Sequence, residues 1–150
     1  MKYSKKHENA FIYIRSIQRS DDDTDETELN CKGIYLYHPD RIQIIYPELD
    51  DDASVSGVTL ITVIGDGLVT VQKTGFTESR MVLETGKSHE AVYRTVVGSM
   101  DMLLSAIEVR SALNADGGTL NLHYLLEINR NDFNTENLLE LRVERFRTEM

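Results

Sequence analysis

Asn114-Ala115-Asp116-Gly117-Gly118-Thr119-Leu120-Asn121-Leu122-His123-Tyr124-Leu125-Leu126-Glu127-Ile128 joins a tight-turn signal to an unbroken two-residue alternation. Glycine supplies the positive φ that a hairpin turn needs. After it, Leu120, Leu122, Tyr124, Leu126 and Ile128 fall on one face of an extended chain, the period of a half-buried antiparallel strand.

The same rhythm extends in both directions. Apolar alternation marks strands over 11–17, 29–37, 42–46, 58–64, 68–73, 80–84, 91–97, 99–109, 119–128 and 138–144. The intervening segments are turn chemistry: the charged connection Asp21 to Glu26, His38-Pro39-Asp40, the acidic loop Glu48 to Asp52, the Gly65-Asp66-Gly67 hairpin and Asn129 to Asp132. The last run is rich in helix formers, but Leu139, Leu141 and Val143 alternate with Glu140, Arg142 and Glu144, which favours strand. Short connections throughout predict an all-β fold, a single antiparallel up-and-down β-barrel of about eight to ten strands in which closure removes the exposed edges.

Composition narrows the function classes. At 150 residues with 41% hydrophobic content the chain suits one domain over 1–150, with 1–8 as a flexible N-terminus. Cys31 is the only cysteine, so no intramolecular disulfide exists. The 25 acidic and 16 basic side chains give a net charge of -9, the wrong sign for neutralising phosphates. Neither a nucleic acid nor an anionic membrane is therefore an expected partner. No apolar run reaches the ~18 residues of a membrane span, and no export signal is legible at the start, so the expected location is cytoplasmic.

Catalytic motifs are sparse. Asp21, Asp23 and Asp25 have the spacing that opens a calcium loop, but Glu26 and Lys32 stand where its glycine and closing glutamate belong, so a solvated loop is expected. Gly65-x-Gly67 is followed by strand residues where a dinucleotide fold would start a helix. No H-E-x-x-H, C-x-x-C or G-x-S-x-G occurs, and His7, His38, His89 and His123 are scattered singly. Cys31 reads as a small buried side chain. Neither a metal nor a cofactor is expected, and the balance leans away from an enzyme.

Charges inserted into apolar strand faces are more informative. Two-residue steps lead from Ile42, Ile44 and Tyr46 to Glu48, and from Val69 and Val71 to Lys73. Arg15 shares parity with Phe11, Tyr13 and Ile17, and Arg94 lies between Val92 and Val96. If these faces point inward, the barrel mouth holds one carboxylate and several cations, suited to an apolar ligand with an anionic head. If they point outward, the long side chains are a solvated wall.

Gly33-Ile34-Tyr35-Leu36, Ile45-Tyr46-Pro47-Glu48, Val71-Gln72-Lys73-Thr74-Gly75, Tyr93-Arg94-Thr95-Val96-Val97-Gly98-Ser99-Met100 and Gly117-Gly118-Thr119-Leu120-Asn121-Leu122-His123-Tyr124 together resemble the YwiB-like family of uncharacterised bacterial β-barrel proteins, a domain of unknown function. The resemblance spans roughly Glu26 to Glu144. It implies a lipocalin-like, calycin-type barrel in bacterial cytoplasm and no particular activity. Lys73 stands where the pattern leads one to expect arginine, and Pro47 sits between Tyr46 and Glu48. Lysine does not reproduce a bidentate arginine contact.

The resulting expectation is a barrel that binds a small, partly apolar or anionic molecule in its lumen through Tyr46, Glu48, Lys73, Arg94 and Tyr124. The alternative is a non-enzymatic interaction protein or a homodimer. Third is an enzyme with Glu48 as acid or base beside Lys73.

Overall fold

The computed structural model describes residues 3–52, 54–129 and 133–147. Ten strands follow one another: β1 (Ala10–Ser20), β2 (Asp23–Tyr37), β3 (Ile42–Leu49), β4 (Val55–Ile64), β5 (Leu68–Gly75), β6 (Ser79–Glu84), β7 (Ser88–Thr95), β8 (Gly98–Asn114), β9 (Gly117–Ile128) and β10 (Phe133–Arg145). Neighbours pair antiparallel in the order β6-β5-β4-β3-β2-β1-β10-β9-β8-β7, a nearly closed up-and-down barrel. The first and last strands are fully paired, from Ala10↔Arg145 to Arg19↔Glu136. The seam falls between β6 and β7, which are consecutive in sequence.

Strand parity follows the alternation of apolar residues. Ile12, Ile14, Ile44, Ile61, Val63, Val69, Val71, Leu83, Leu104, Leu120, Leu122, Leu141 and Val143 are buried in one inward-facing core. β-Branched residues dominate β4 and β5 because they pack well on a pleated surface. On β8 the inward set shifts from Met102, Leu104 and Ala106 to Val109 and Leu113, because a bulge between Ala106 and Glu108 inserts one residue. Tyr35, 1% exposed, reaches across this core and donates its hydroxyl to the Asn114 carbonyl at 2.7 Å.

Outside, aromatic contacts clamp the closure. Phe11 and Phe146 meet edge to face at 4.7 Å, and the Arg142 guanidinium lies 5.1 Å from the Tyr13 ring centre. Within residues 1–8, expected as a flexible N-terminus, the described part carries a 3-10 turn at Lys5–His7. Asn9 then mimics a backbone rung, its amide group accepting from Tyr35 N–H at 2.7 Å and donating to Tyr35 O at 2.9 Å.

One boundary differs from expectation. Only Asp21 and Asp22 form the β1–β2 turn, while Asp23 to Glu26 belong to β2 and pair with β1. Every side chain from Asp21 to Asn30 is exposed, so this part of β2 shows no apolar alternation. It is held instead by ladder bonds and by ion pairs such as Arg15 Nε to Glu26 Oε1 at 2.6 Å.

Two glycines separate backbone strain from steric conflict. At Gly117, φ is +129° and an added Cβ would collide with the Val143 carbonyl; at Gly86, φ is +78° with open space around it. Gly117→Ala is expected to lose about 3 kcal/mol or more, and Gly86→Ala about 1 kcal/mol, in urea unfolding. A loss at Gly117 no larger than that at Gly86 would contradict the close strand approach.

Candidate functional site

The site begins where β2 changes partners. Up to Gly33 it pairs with β1, and from Ile34 to Tyr37 it pairs with β3. An added Cβ on Gly33 would meet the Ile12 side chain and the Ile45 carbonyl, so only glycine permits this corner. Beyond it β2 and β3 diverge, leaving Tyr46 to Leu49 paired only with β4. Pro47 tolerates the position because β3 has a free edge there. The barrel is consequently splayed at the end that carries the β3–β4, β5–β6 and β7–β8 turns.

Just inside this mouth a polar row crosses the wall. Tyr46 pairs with Thr59, Thr59 with Lys73, and Lys73 with Ser79. All four occupy the same inward parity as the core residues below them. Thr59 is fully buried, and its hydroxyl donates to Glu48 Oε1 at 3.2 Å. Lys73 Nζ stands 3.7 Å from the same oxygen, close enough for attraction but beyond hydrogen-bond distance. With both side chains more than a third exposed, that pair adds at most about 1 kcal/mol of stability. Among the described residues the Lys73 ammonium makes no hydrogen bond.

Tyr46 and Tyr124 complete the cluster. Burial pushes the Tyr46 phenol up to about 12, an effect the Thr59 hydroxyl partly offsets and the Glu48 carboxylate reinforces. Tyr124, on the inward face of β9, is raised by burial and acts electrostatically on Tyr46. Both rings therefore stay protonated donors at neutral pH. Half-buried Cys31 faces the same interior, and burial, with the Glu8 carboxylate adding to it, pushes its thiol up to about 11.

Of the five residues singled out in the sequence, Tyr46, Glu48, Lys73 and Tyr124 share the inward face, and Arg94 does not join them. Ala91 packs against the core, which sets odd positions of β7 inward and turns exposed Arg94 to the outer wall. Arg15 is outward for the same reason: Ala10, Ile12 and Ile14 take the inner face of β1. Thr59 and Ser79 were not legible as site residues, because hydroxyls in β-branched or turn-flanking runs carry no signal until the neighbouring strand supplies Glu48 or Lys73.

Two histidines are paired with glutamates. On the outer wall His123 Nε2 lies 2.7 Å from Glu136 Oε2, and His89, at an odd position of β7 opposite Leu104, has its Nε2 3.0 Å from Glu84 Oε1. These contacts hold both carboxyls below the usual glutamate range. Among the described residues no three His, Cys, Asp or Glu side chains converge to hold a metal ion, and no helix is long and apolar enough to cross a membrane.

The family profile described as "Domain of unknown function (DUF1934)" matches residues 12–141. Among solved structures, the ywiB protein from Bacillus subtilis is similar, with a TM-score of 0.80 at 19% identity and 95% of each chain covered. At that identity the likeness carries the fold alone. No curated protein matches the chain in sequence. The resemblance read around Gly33, Tyr46, Lys73 and Gly117 therefore extends over the whole barrel.

The raised thiol pKa has a direct readout. Native Cys31 is expected to react with iodoacetamide at pH 8 at least about tenfold more slowly than in the urea-unfolded chain, since the thiolate is the nucleophile. Equal rates would show that the interior does not shield it.

Proposed function

The chain belongs to the DUF1934 family of unknown function, and we propose that it binds a small, partly apolar molecule with an anionic group at the mouth of the barrel. The observation that supports this reading is the Glu48–Thr59–Lys73 row set above an apolar interior. Thr59 donates to one oxygen of the carboxylate, while Lys73 makes no hydrogen bond among the described residues and can turn its donors to an incoming anion. Tyr46 and Tyr124 offer protonated hydroxyls and ring faces beside the apolar floor. Arg94, on the outer wall, has no part in this lumen contact.

A suitable probe is 1-anilinonaphthalene-8-sulfonate, whose rings and sulfonate imitate the two halves of such a ligand. It should bind the native chain saturably with enhanced fluorescence. Lys73→Ala should weaken that binding about tenfold, the scale of one charge-assisted hydrogen bond, while its urea midpoint stays close to that of the unchanged chain. Unchanged affinity in the folded variant would remove Lys73 from the site.

The second reading, a homodimer, draws on Leu36 and Ile64, exposed apolar side chains on the outer face of β2 and β4. Native mass spectrometry decides it: a dimer that Ile64→Lys converts to monomer would support this surface, and a monomer at micromolar concentration would set it aside.

A further inference from the structure

At the seam between β6 and β7 two arginines stand close together without an ion-pair partner among the described residues. Arg15, Arg19, Arg110 and Arg142 on the outer wall are each paired with a glutamate. Arg80 and Arg94 take part in no ion pair among the described residues, although both line one groove of about 290 Å³. Gln72 and Thr74 from β5 and Ser79 from β6 supply neutral polar groups to it, and Val92 adds an apolar patch. Lys73 reaches the same groove from the inner side, so the groove runs from the lumen mouth to the exterior.

The backbone adds to this. Glu78 and Arg94 exchange a single pair of bonds, N–H to O at 2.9 and 2.8 Å, forming an isolated bridge. Among the described residues no other backbone pair joins the two strands between that bridge and the turn at Gly86, which is tied to Ala106 of β8 instead. In antiparallel geometry the next peptide groups that face the gap belong to Arg80 on one side and Val92 on the other. Two guanidinium forks on opposite strands thus flank peptide edges that no strand has used.

We propose that this groove is an oxyanion-binding site, taking a phosphate or sulfate-like group whose oxygens point to both walls. Two guanidiniums approaching from different strands suit a tetrahedral anion with oxygens in several directions better than a planar carboxylate presenting one fork. Glu78 is the only carboxylate that lines the groove, and it opposes the two arginines. In a chain of net charge -9, a local excess of positive charge is also where an anion is drawn in preference to the rest of the surface. This goes beyond the lumen reading: Lys73 and Ser79 border both sites, but neither arginine belongs to the Tyr46–Glu48–Lys73–Tyr124 cluster.

The test is a titration of the full chain with inorganic phosphate, followed by amide chemical shifts, with acetate and sodium chloride at matched ionic strength as parallel arms. Saturable shifts at Arg80, Val92 and Arg94 with phosphate, weaker with acetate and absent with chloride, are expected. Arg80→Gln and Arg94→Gln should each weaken binding about tenfold or more, Glu78→Gln should tighten it, and Arg110→Gln should leave it unchanged. Equal response to chloride, or full affinity in Arg94→Gln, would overturn the site, and acetate binding as tightly as phosphate would overturn its tetrahedral preference. Binding of the naphthalene sulfonate to Arg80→Gln/Arg94→Gln separates the two readings, since the lumen site should survive the loss of this one.

Discussion

Ten rungs between the first strand and the last, Ala10↔Arg145 through Arg19↔Glu136, turn a meander of hairpins into a nearly closed wall. Everything else depends on that pairing. An open sheet of this length would leave the inward faces of β1, β9 and β10 against water, and those faces contain Ile12, Ile14, Leu120, Leu122, Leu141 and Val143. Burying one such side chain is worth about 1.5–3 kcal/mol, so closure is driven by many small contributions over a continuous core. The edge-to-face aromatics outside and the Asn9 amide rungs on Tyr35 hold the same joint at its lower end.

Because the ends of the chain are locked, the irregularities fall elsewhere. Gly33 lets β2 pass from one half of the barrel to the other, and the two halves separate above it. On the opposite side β6 and β7 are joined by one isolated bridge. The upper part of β3 is therefore attached to the rest of the wall less tightly than its lower part, where it pairs with β2 and Ile44 packs in the core. Both functional readings draw on this asymmetry. The polar row of Tyr46, Thr59, Lys73 and Ser79 lies on the inner side of that upper wall, and Arg80 and Arg94 lie on its outer side. A tightly closed barrel of alternating residues would have kept these two sets apart.

Some of the site was readable in advance. Glu48 and Lys73 extend apolar faces by two residues, and a charge at the end of an inward face is a rim residue once the face is known to point inward. Thr59 was invisible because its role depends on a carboxylate eleven positions away in sequence, carried by the neighbouring strand. Arg94 was misread for a related reason. It sits between Val92 and Val96, so local pattern suggested an apolar face, yet both valines are exposed and the inward residue is Ala91. Small side chains on an inward face give a weak hydrophobic signal, and exposed valines on the outer face give a false one. The acidic part of β2 escaped for the opposite reason, since a strand solvated on both faces has no alternation to read.

The sequence by itself determined the ten-strand antiparallel plan, the hairpin at Gly117, the apolar face of β9 and the choice of strand for the final segment. Each of these is written in a period of two and in glycines at tight turns, which are local properties. Tertiary structure decided which face of β1 and β7 turns inward, where the barrel is splayed, and that the seam lies between consecutive strands and not between the chain ends. Those outcomes come from closure, a competition among all the strands for one interior. No window of sequence contains that competition, because its terms are contacts such as Ile12 beside Gly33 and Tyr35 beneath Asn114, which exist only after the wall has closed.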